Sequence, residues 1–366
     1  MTIREEKPRI LVCRGGATGD FMLTTPVFCS LRDRWPGAHI VLACRRNVAV
    51  LAIAAGLADE TIDIERPDIS RLFATGAECD AGWAEFIRSF DIILSYINDP
   101  EGIVCGNLRS IGAARIVSGS PIVTGGHAAD FLMRPLAELG IVAGAPVVPR
   151  LKLSDSYLHG GRSRLYCVIG GEKQAFHSCG SATRVPPLLA EEEHAGSRAP
   201  EPQLSGEDSG CGLSQMRCAD VVVIHPGSGS QKKNWPPVKY AELARHVEDK
   251  MARKAVFLFG EADDLCRGVL GAGHGISAIS GLELVEIAAL ISSCGAYVGN
   301  DSGITHLAAA LGVRTVALFG PTDPEVWGPR GPNVRIINAP EPTLESMTAI
   351  SEETVLDALK QIFIKI

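Results

Sequence analysis

The chain is 366 residues long, enough for two domains of ordinary size. Hydrophobic residues make up 46% of it and aromatics only 5%, the aliphatic balance of parallel sheets covered by helices. Its 35 Lys and Arg against 42 Asp and Glu leave a formal net charge of −7, which argues against a nucleic-acid groove.

From the N-terminus, RILVC (9–13), HIVLAC (39–44), ETIDI (60–64), DIILSYI (91–97) and ARIVSG (114–119) read as short strands. Val27–Trp35, Val48–Gly56 and Ala128–Leu139 read as helices between them. Such alternation implies a parallel sheet with helices on both faces. The second half repeats the scheme. DVVVIH (220–225), KAVFLFGE (254–261), AYVGND (296–301) and RTVALFGPTD (314–323) read as strands. KYAELARHVEDKM (239–251), LELVEIAALISSC (282–294) and GITHLAAALG (303–312) read as helices, and 351–366 as a terminal amphipathic helix. The expected class is α/β, with two Rossmann-like, doubly wound domains facing one another across a cleft. The first covers 1–169 and the second 219–345, followed by the C-terminal helical segment 346–366. Between them, 170–218 is rich in Gly, Ser, Pro and Glu and lacks any period. It reads as a flexible insertion or linker, or as a small subdomain around Leu188 and Leu189.

Eleven cysteines occur without a Cys-x-x-Cys pair. Cys13, Cys29, Cys44 and Cys294 lie in apolar runs and read as small core residues. The odd count without zinc spacing favours a reducing compartment. The opening MTIREEKPRI is charged and forms no apolar signal segment, and no stretch approaches the ~20 apolar residues of a membrane span. The expectation is a cytoplasmic protein.

Four loops at strand ends can carry chemistry. In the first, GGATGD (15–20), the glycines do not fall as G-x-G-x-x-G, and no Lys-Ser/Thr follows as in a Walker loop. What remains is a carboxylate, Asp20, at the carboxyl end of a strand, where open α/β sheets place their ligands. Asp20 is either functional or a helix cap. Thr25 followed by Pro26 offers a competing cap and first-turn pair. In the second loop, HPGSGSQKKNWPP (225–237), backbone N–H groups, the Ser228 and Ser230 hydroxyls, Lys232 and Lys233 form either a diphosphate cradle or an ordinary solvated loop. In the third, GNDSGITHLAAAL (299–311), Ile304, Leu307, Ala308 and Leu311 make one apolar stripe, with Ser302 and His306 opposite. His306 therefore faces solvent or the cleft. Asp301 caps the helix, reads a ligand, or both. The fourth, FGPTDPEVWGP (319–329), continues the same sheet edge. No Asp-x-Asp pair occurs and the histidines lack metal spacing, so a metal-free site is expected.

Taken together, GDFMLTTPVFCSLRDRWPGAHI, HAADFLMRPLAELGI, HPGSGSQKKNWPPVKYAEL and GNDSGITHLAAALGVRTVALFGPTDPEVWGP resemble glycosyltransferase family 9, the ADP-heptose:lipopolysaccharide heptosyltransferases. The resemblance covers most of both halves, in the same order, and leaves 170–218 without a counterpart. It implies a GT-B fold, an N-terminal acceptor domain and a C-terminal nucleotide-sugar donor domain. It also implies inverting, metal-independent heptose transfer from ADP-heptose to a lipid-linked inner-core acceptor, with no cofactor and no nucleic-acid partner. Carried over by position, Asp20 is the general base, with Thr18 and Gly19 in the acceptor-side loop. Lys233 holds the diphosphate, with Ser228 and Ser230 before it. Asp301, Ser302, Gly303 and His306 form the second donor-side piece, and Glu261 or Asp264 supplies an acidic contact. The acceptor class adds peripheral contact with the inner face of the cytoplasmic membrane. GGATGD has more glycine than the family loop. The alternatives are a GT-B transferase using another nucleotide sugar in polysaccharide or natural-product assembly, an epimerase on the same scaffold, and a non-catalytic paralogue that binds nucleotide sugar or lipid A.

Overall fold

The computed structural model describes residues 7–76, 79–144, 146–170, 217–260, 263–270, 275–341, 343 and 346–364. Nearly all of the 170–218 segment, read as an insertion, lies outside the described residues.

The first lobe alternates β1 (Arg9–Cys13), α1 (Thr18–Arg34), β2 (His39–Cys44), α2 (Arg46–Ala54), β3 (Glu60–Asp63), α3 (Pro67–Arg71), α4 (Ala81–Arg88), β4 (Ile92–Ser95), α5 (Ile103–Ile111), β5 (Ile116–Ser118) and α6 (Ala128–Met133). Helix α7 (Asp155–Ile169) leads to the second lobe. That lobe comprises β6 (Val221–His225), α8 (Pro237–Met251), β7 (Lys254–Phe259), α9 (Asp264–Leu270), β8 (Ser277–Ser280), α10 (Leu284–Ser293), β9 (Ala296–Asn300), α11 (Gly303–Ala310), β10 (Thr315–Phe319), α12 (Pro324–Trp327), β11 (Val334–Asn338) and α13 (Glu352–Ile364).

Both sheets are parallel throughout. The first runs β3-β2-β1-β4-β5 and the second β11-β10-β9-β6-β7-β8. Numbered within its own lobe, the second order is 3-2-1-4-5-6 and the first is the same order short of its last strand. Each is doubly wound, as the sequence leads one to expect. In such a sheet the strand order reverses between the first and fourth strands, and the loops there splay apart to leave a crevice. These loops follow β1 and β4 in one lobe, and β6 and β9 in the other.

The central strands form because Val, Ile and Leu can be buried on both faces. Ile10, Leu11, Val12, Val222, Val223 and Ile224 are all buried. The two edge strands β8 and β11, absent from the sequence reading, alternate between partly buried and exposed residues. Their polar positions hid them.

The first helix departs most from expectation. It starts at Thr18, not Val27, and runs through Pro26. Proline has no N–H, so the Met22 carbonyl loses its helical partner. The Thr25 hydroxyl donates to that carbonyl at 2.8 Å and repairs the gap. Thr25 and Pro26 are therefore buried helix-interior residues, not a cap and first-turn pair.

One buried cluster joins the lobes, with Val12, Phe28 and Leu42 from the first and Val223, Ile291 and Leu307 from the second. It fills the space where α1 packs on α11, and α2 and α7 pack on α10. Although α7 falls within 1–169, it lies against the second lobe, where the Arg164 and Glu286 side chains pair. No helix among the described residues is long and apolar enough to cross a membrane.

Candidate active site

The loop after β1 is built around Asp20. Its Oδ2 accepts the Ala17 N–H at 2.8 Å, closing the first turn of α1. Gly16 has φ +97°, and a Cβ there would lie 2.6 Å from Asp20 Oδ2. The extra glycine of GGATGD is thus required twice, by backbone conformation and by the carboxylate against it. On the other side Arg14, 5% exposed, donates to Asp20 Oδ1 at 3.3 Å and to Thr24 Oγ1 at 2.9 Å. Burial lowers the Arg14 pKa, and the charge of Asp20 opposes that shift. Asp20 is a cap and still reaches the cleft. Its two oxygens spend one hydrogen bond each and keep further acceptor capacity.

The second lobe supplies the opposite wall. Asn300 closes β9 fully buried. Its Oδ1 accepts from the Trp235 N–H at 3.0 Å and the Tyr240 hydroxyl at 2.8 Å, and its Nδ2 donates to the Pro226 carbonyl at 2.8 Å. One side chain thereby fastens the whole loop after β6 to the end of β9. The fastening brings Lys233 Nζ to 2.7 Å from Asp301 Oδ2, where the Thr322 hydroxyl also donates at 2.7 Å. Ser302, not Asp301, caps α11, its hydroxyl accepting the Thr305 N–H at 3.3 Å. Asp301 is therefore spared capping duty.

His306 lies in the cleft wall, 5% exposed, with Nε2 4.0 Å from Asp301 Oδ1. Burial pushes its imidazole down to about 4. Asp301 opposes this, while charge on His127 and Lys233 adds to it. The ring is neutral at pH 7 and can donate a proton at one nitrogen while accepting at the other.

The lobes meet where the two helix N-termini face each other. A Cβ on Gly303 would lie 2.7 Å from the Gly19 nitrogen and 2.8 Å from Thr18 Cβ. Only glycine allows that approach. Beside the contact is a cavity of about 320 Å³. Gly19, Asp20 and Leu23 line it from the first lobe. Gly229, Lys233, Asp301, Ser302, Gly303, His306, Thr322 and Trp327 line it from the second. Residues from four segments that follow β1, β6, β9 and β10, distant in sequence, thus share one space.

Two expected positions differ. The cavity is lined by Gly229, whereas Ser228 and Ser230 are not among its walls. The Ser228 hydroxyl instead lies 2.7 Å from the Ser230 carbonyl and 2.6 Å from Asn234 Oδ1, bracing its own loop. Glu261 lies outside the described residues, and Asp264 opens α9. The neighbouring acid, Asp263, is 5% exposed. It accepts the Gly260 N–H at 2.7 Å and pairs with His225 Nε2 at 3.3 Å. Burial pushes Asp263 up, but the His225 contact and the Gly260 N–H outweigh it and hold the carboxyl below its ordinary value. Arg14, Asn300, Thr322 and Asp263 were not singled out from sequence. The only local signal was polarity at the end of an apolar strand, which Asn300 and Arg14 both show. Among the described residues no group of three His, Cys, Asp or Glu is arranged to hold a metal ion. The described cysteines are free thiols.

Residues 190–355 match the model of glycosyltransferase family 9 (heptosyltransferase). The match begins inside the 170–218 segment, so the latter part of that segment belongs to the matched span. Lipopolysaccharide heptosyltransferase 2 of Escherichia coli K12 is 32% identical over an alignment covering 36% of this chain and 43% of that protein. The chain spans less than half the length of the curated relatives it matches. Among solved structures, a glycosyl transferase family 9 protein from Veillonella parvula superposes with a TM-score of 0.70 at 20% identity, covering 100% of this chain and 99% of the other. The E. coli ADP-heptose lps heptosyltransferase II does so with a TM-score of 0.69 at 19% identity, covering 98% and 99%. At these identities the likeness is one of fold, and it extends the two-lobed GT-B arrangement over the whole chain.

Proposed function

Starting from the match of residues 190–355 to the model of glycosyltransferase family 9 (heptosyltransferase), we propose that this protein is an inverting glycosyltransferase. It moves a heptose from ADP-heptose to a lipid-linked inner-core acceptor of lipopolysaccharide, without a metal. The relatives supporting this choice of sugar and acceptor are named lipopolysaccharide heptosyltransferases, and one solved relative is named for ADP-heptose. The observation that carries the reading is the single cavity shared by Asp20 from one lobe with Lys233 and Asp301 from the other.

The chemistry follows from charge movement. In a sugar transfer the bond from the anomeric carbon to the diphosphate oxygen breaks through an oxocarbenium-like transition state. Its electron pair goes to the leaving diphosphate. Lys233 and the N-terminus of α11 at Gly303 meet that growing negative charge. Preorganised donors of this kind contribute roughly 3–4 kcal/mol each. An acceptor hydroxyl attacks from the opposite face, and its proton passes to Asp20, worth about a hundred- to ten-thousand-fold in rate. Attack opposite to departure inverts the anomeric centre.

Lys233 pairs with Asp301. An arriving diphosphate competes for the ammonium, and Asp301, still held by the Thr322 hydroxyl, turns to the sugar hydroxyls. The close packing of Gly19 on Gly303 excludes water beside the reacting atoms, which protects the donor from hydrolysis.

Thermal shift over a panel of nucleotide sugars, followed by a transfer assay with ADP-heptose and a heptose-deficient lipid-linked acceptor, tests the reading. Stabilisation by ADP-heptose together with a mass gain of one heptose on the acceptor is expected. Transfer of a different sugar, or isomerisation of the donor alone, would overturn it.

A further inference from the structure

The transfer chemistry uses only the polar residues of the cavity. Leu23 and Trp327, one from each lobe, are apolar residues that line the same cavity. Leu23 follows Asp20 by three residues on α1, so both side chains share one helix face. Trp327 ends α12 and is only partly buried, although it packs on the core shared by the lobes.

The position of Trp327 is set from both lobes. Within its own lobe, Asp323 caps α12 by accepting the Glu325 N–H at 2.8 Å, and the Trp327 N–H reaches the Asp323 carbonyl at 3.0 Å. The carbonyl of the next residue, Gly328, is 2.8 Å from His127 Nε2 in the first lobe. His127 Nδ1 accepts the Ala129 N–H at 3.2 Å, so the ring proton sits on Nε2 and points at Gly328. Two residues on, Arg330 donates to Asp130 Oδ1 at 2.8 Å and to the Val147 carbonyl at 3.1 Å. The segment after Trp327 is thus bolted to the opposite lobe at two points, so the backbone that carries the indole is held from both lobes.

We propose that Trp327 is the platform for the apolar face of the transferred sugar, and so a specificity-determining residue. This rests on the transferase reading above. A pyranose has hydroxyls around its edge and C–H groups on its faces. Asp301, His306 and Lys233 suit the edge and the diphosphate. A face left against water would forfeit the apolar part of binding. Leu23 is too narrow to cover a ring, whereas an indole has the largest flat apolar surface of any side chain, with a polar N–H at its rim. A small cavity lined by apolar side chains and a few convergent polar groups is the usual build of a small-molecule site. The cavity gives the indole a different partner from the diphosphate grip, so its loss should separate sugar binding from nucleotide binding.

The test compares wild type with Trp327→Leu and Trp327→Phe, using ADP and ADP-heptose as calorimetric probes and the transfer assay for KM. Melting temperatures identify any variant that fails to fold, and the two replacements differ only in whether a flat ring remains. Trp327→Leu should bind ADP as wild type does, while KM for ADP-heptose rises about tenfold or more, the usual scale for a lost pocket contact. Trp327→Phe should recover most of that loss. Equal weakening of ADP and ADP-heptose would assign the indole to the nucleotide instead and overturn the proposal. So would unchanged ADP-heptose KM in both variants. A wild-type protein that binds ADP but transfers no sugar would overturn the transferase reading, and this assignment with it.

Discussion

Lys233 Nζ and Asp301 Oδ2 lie 2.7 Å apart, joining the loop after β6 to the loop after β9 across the point where the second sheet reverses its strand order. The pair holds its two loops in register. It also keeps a cation ready for a diphosphate without leaving it uncompensated in a half-buried cleft.

Lys233→Ala should weaken ADP and ADP-heptose alike, because the ammonium addresses the part they share. Charge-assisted hydrogen bonds are worth about 1.5–3 kcal/mol, so a loss of roughly ten- to a hundredfold in affinity is expected. Calorimetry returning wild-type ADP affinity would remove Lys233 from the diphosphate site. Lys233→Arg keeps the charge but not the compact ammonium and should recover only part of the binding.

Gly303→Ala tests the meeting of the lobes. The added methyl would stand 2.7 Å from the Gly19 nitrogen, so the helices must separate. The expected result is a lower kcat, a larger radius in small-angle scattering and a melting temperature several degrees down. A variant with unchanged scattering and turnover would show that the Gly19–Gly303 contact is not needed in the working enzyme.

The pH dependence of stability follows from His306. Its folded pKa is pushed from about 6.5 down to about 4 by burial. Below pH 6.5 the unfolded chain takes up a proton that the folded chain refuses until about pH 4, so unfolding gains protons over this window. The His306 contribution is therefore fully present above pH 6.5, falls as the pH drops from 6.5 towards 4, and is lost below. His127, also lowered by burial, acts in the same sense. Denaturant titrations from pH 8 to pH 4 should show a steeper acid loss for wild type than for His306→Asn. Parallel curves would contradict the assignment.

Trp235 is completely buried. It stacks edge-on against Tyr240 with centroids 4.8 Å apart, and its Nε1 donates to the Ile350 carbonyl at 3.0 Å. Trp235→Ala should cost about 3–5 kcal/mol of stability. Because the Trp235 N–H is held by Asn300, Asn300→Ala should loosen the same loop and reduce ADP affinity as well. A denaturant midpoint unchanged in Trp235→Ala would refute the buried-anchor role.

Sequence and structure agree where the signal is local. β1 and β2 coincide with RILVC and HIVLAC, because central parallel strands are continuous aliphatic runs. Lys233 and Asp301 lie on strand-end loops, Asp20 and His306 on the first turns of the helices that follow such loops, and a doubly wound sheet brings these ends together. What escaped detection depends on partners far away in sequence. β8 and β11 are edge strands whose polar residues match no strand template. α1 opens on Thr18, Gly19 and Asp20, which read as loop residues, and its Pro26 is tolerated because Thr25 replaces the lost donor. The buried acid beside β7 is Asp263 because His225 lies opposite, which no spacing rule reveals. Trp327 carries no local signal of a role, since its setting is made by His127 and Asp130 of the other lobe.

The most direct measurement concerns Asp20, whose proposed role is to accept a proton across the cleft. Donor affinity and single-turnover transfer from ADP-heptose should be measured side by side for wild type and Asp20→Asn. The account predicts ADP-heptose affinity within about twofold of wild type and transfer slower by about a hundred- to ten-thousand-fold. Transfer at the wild-type rate would contradict it.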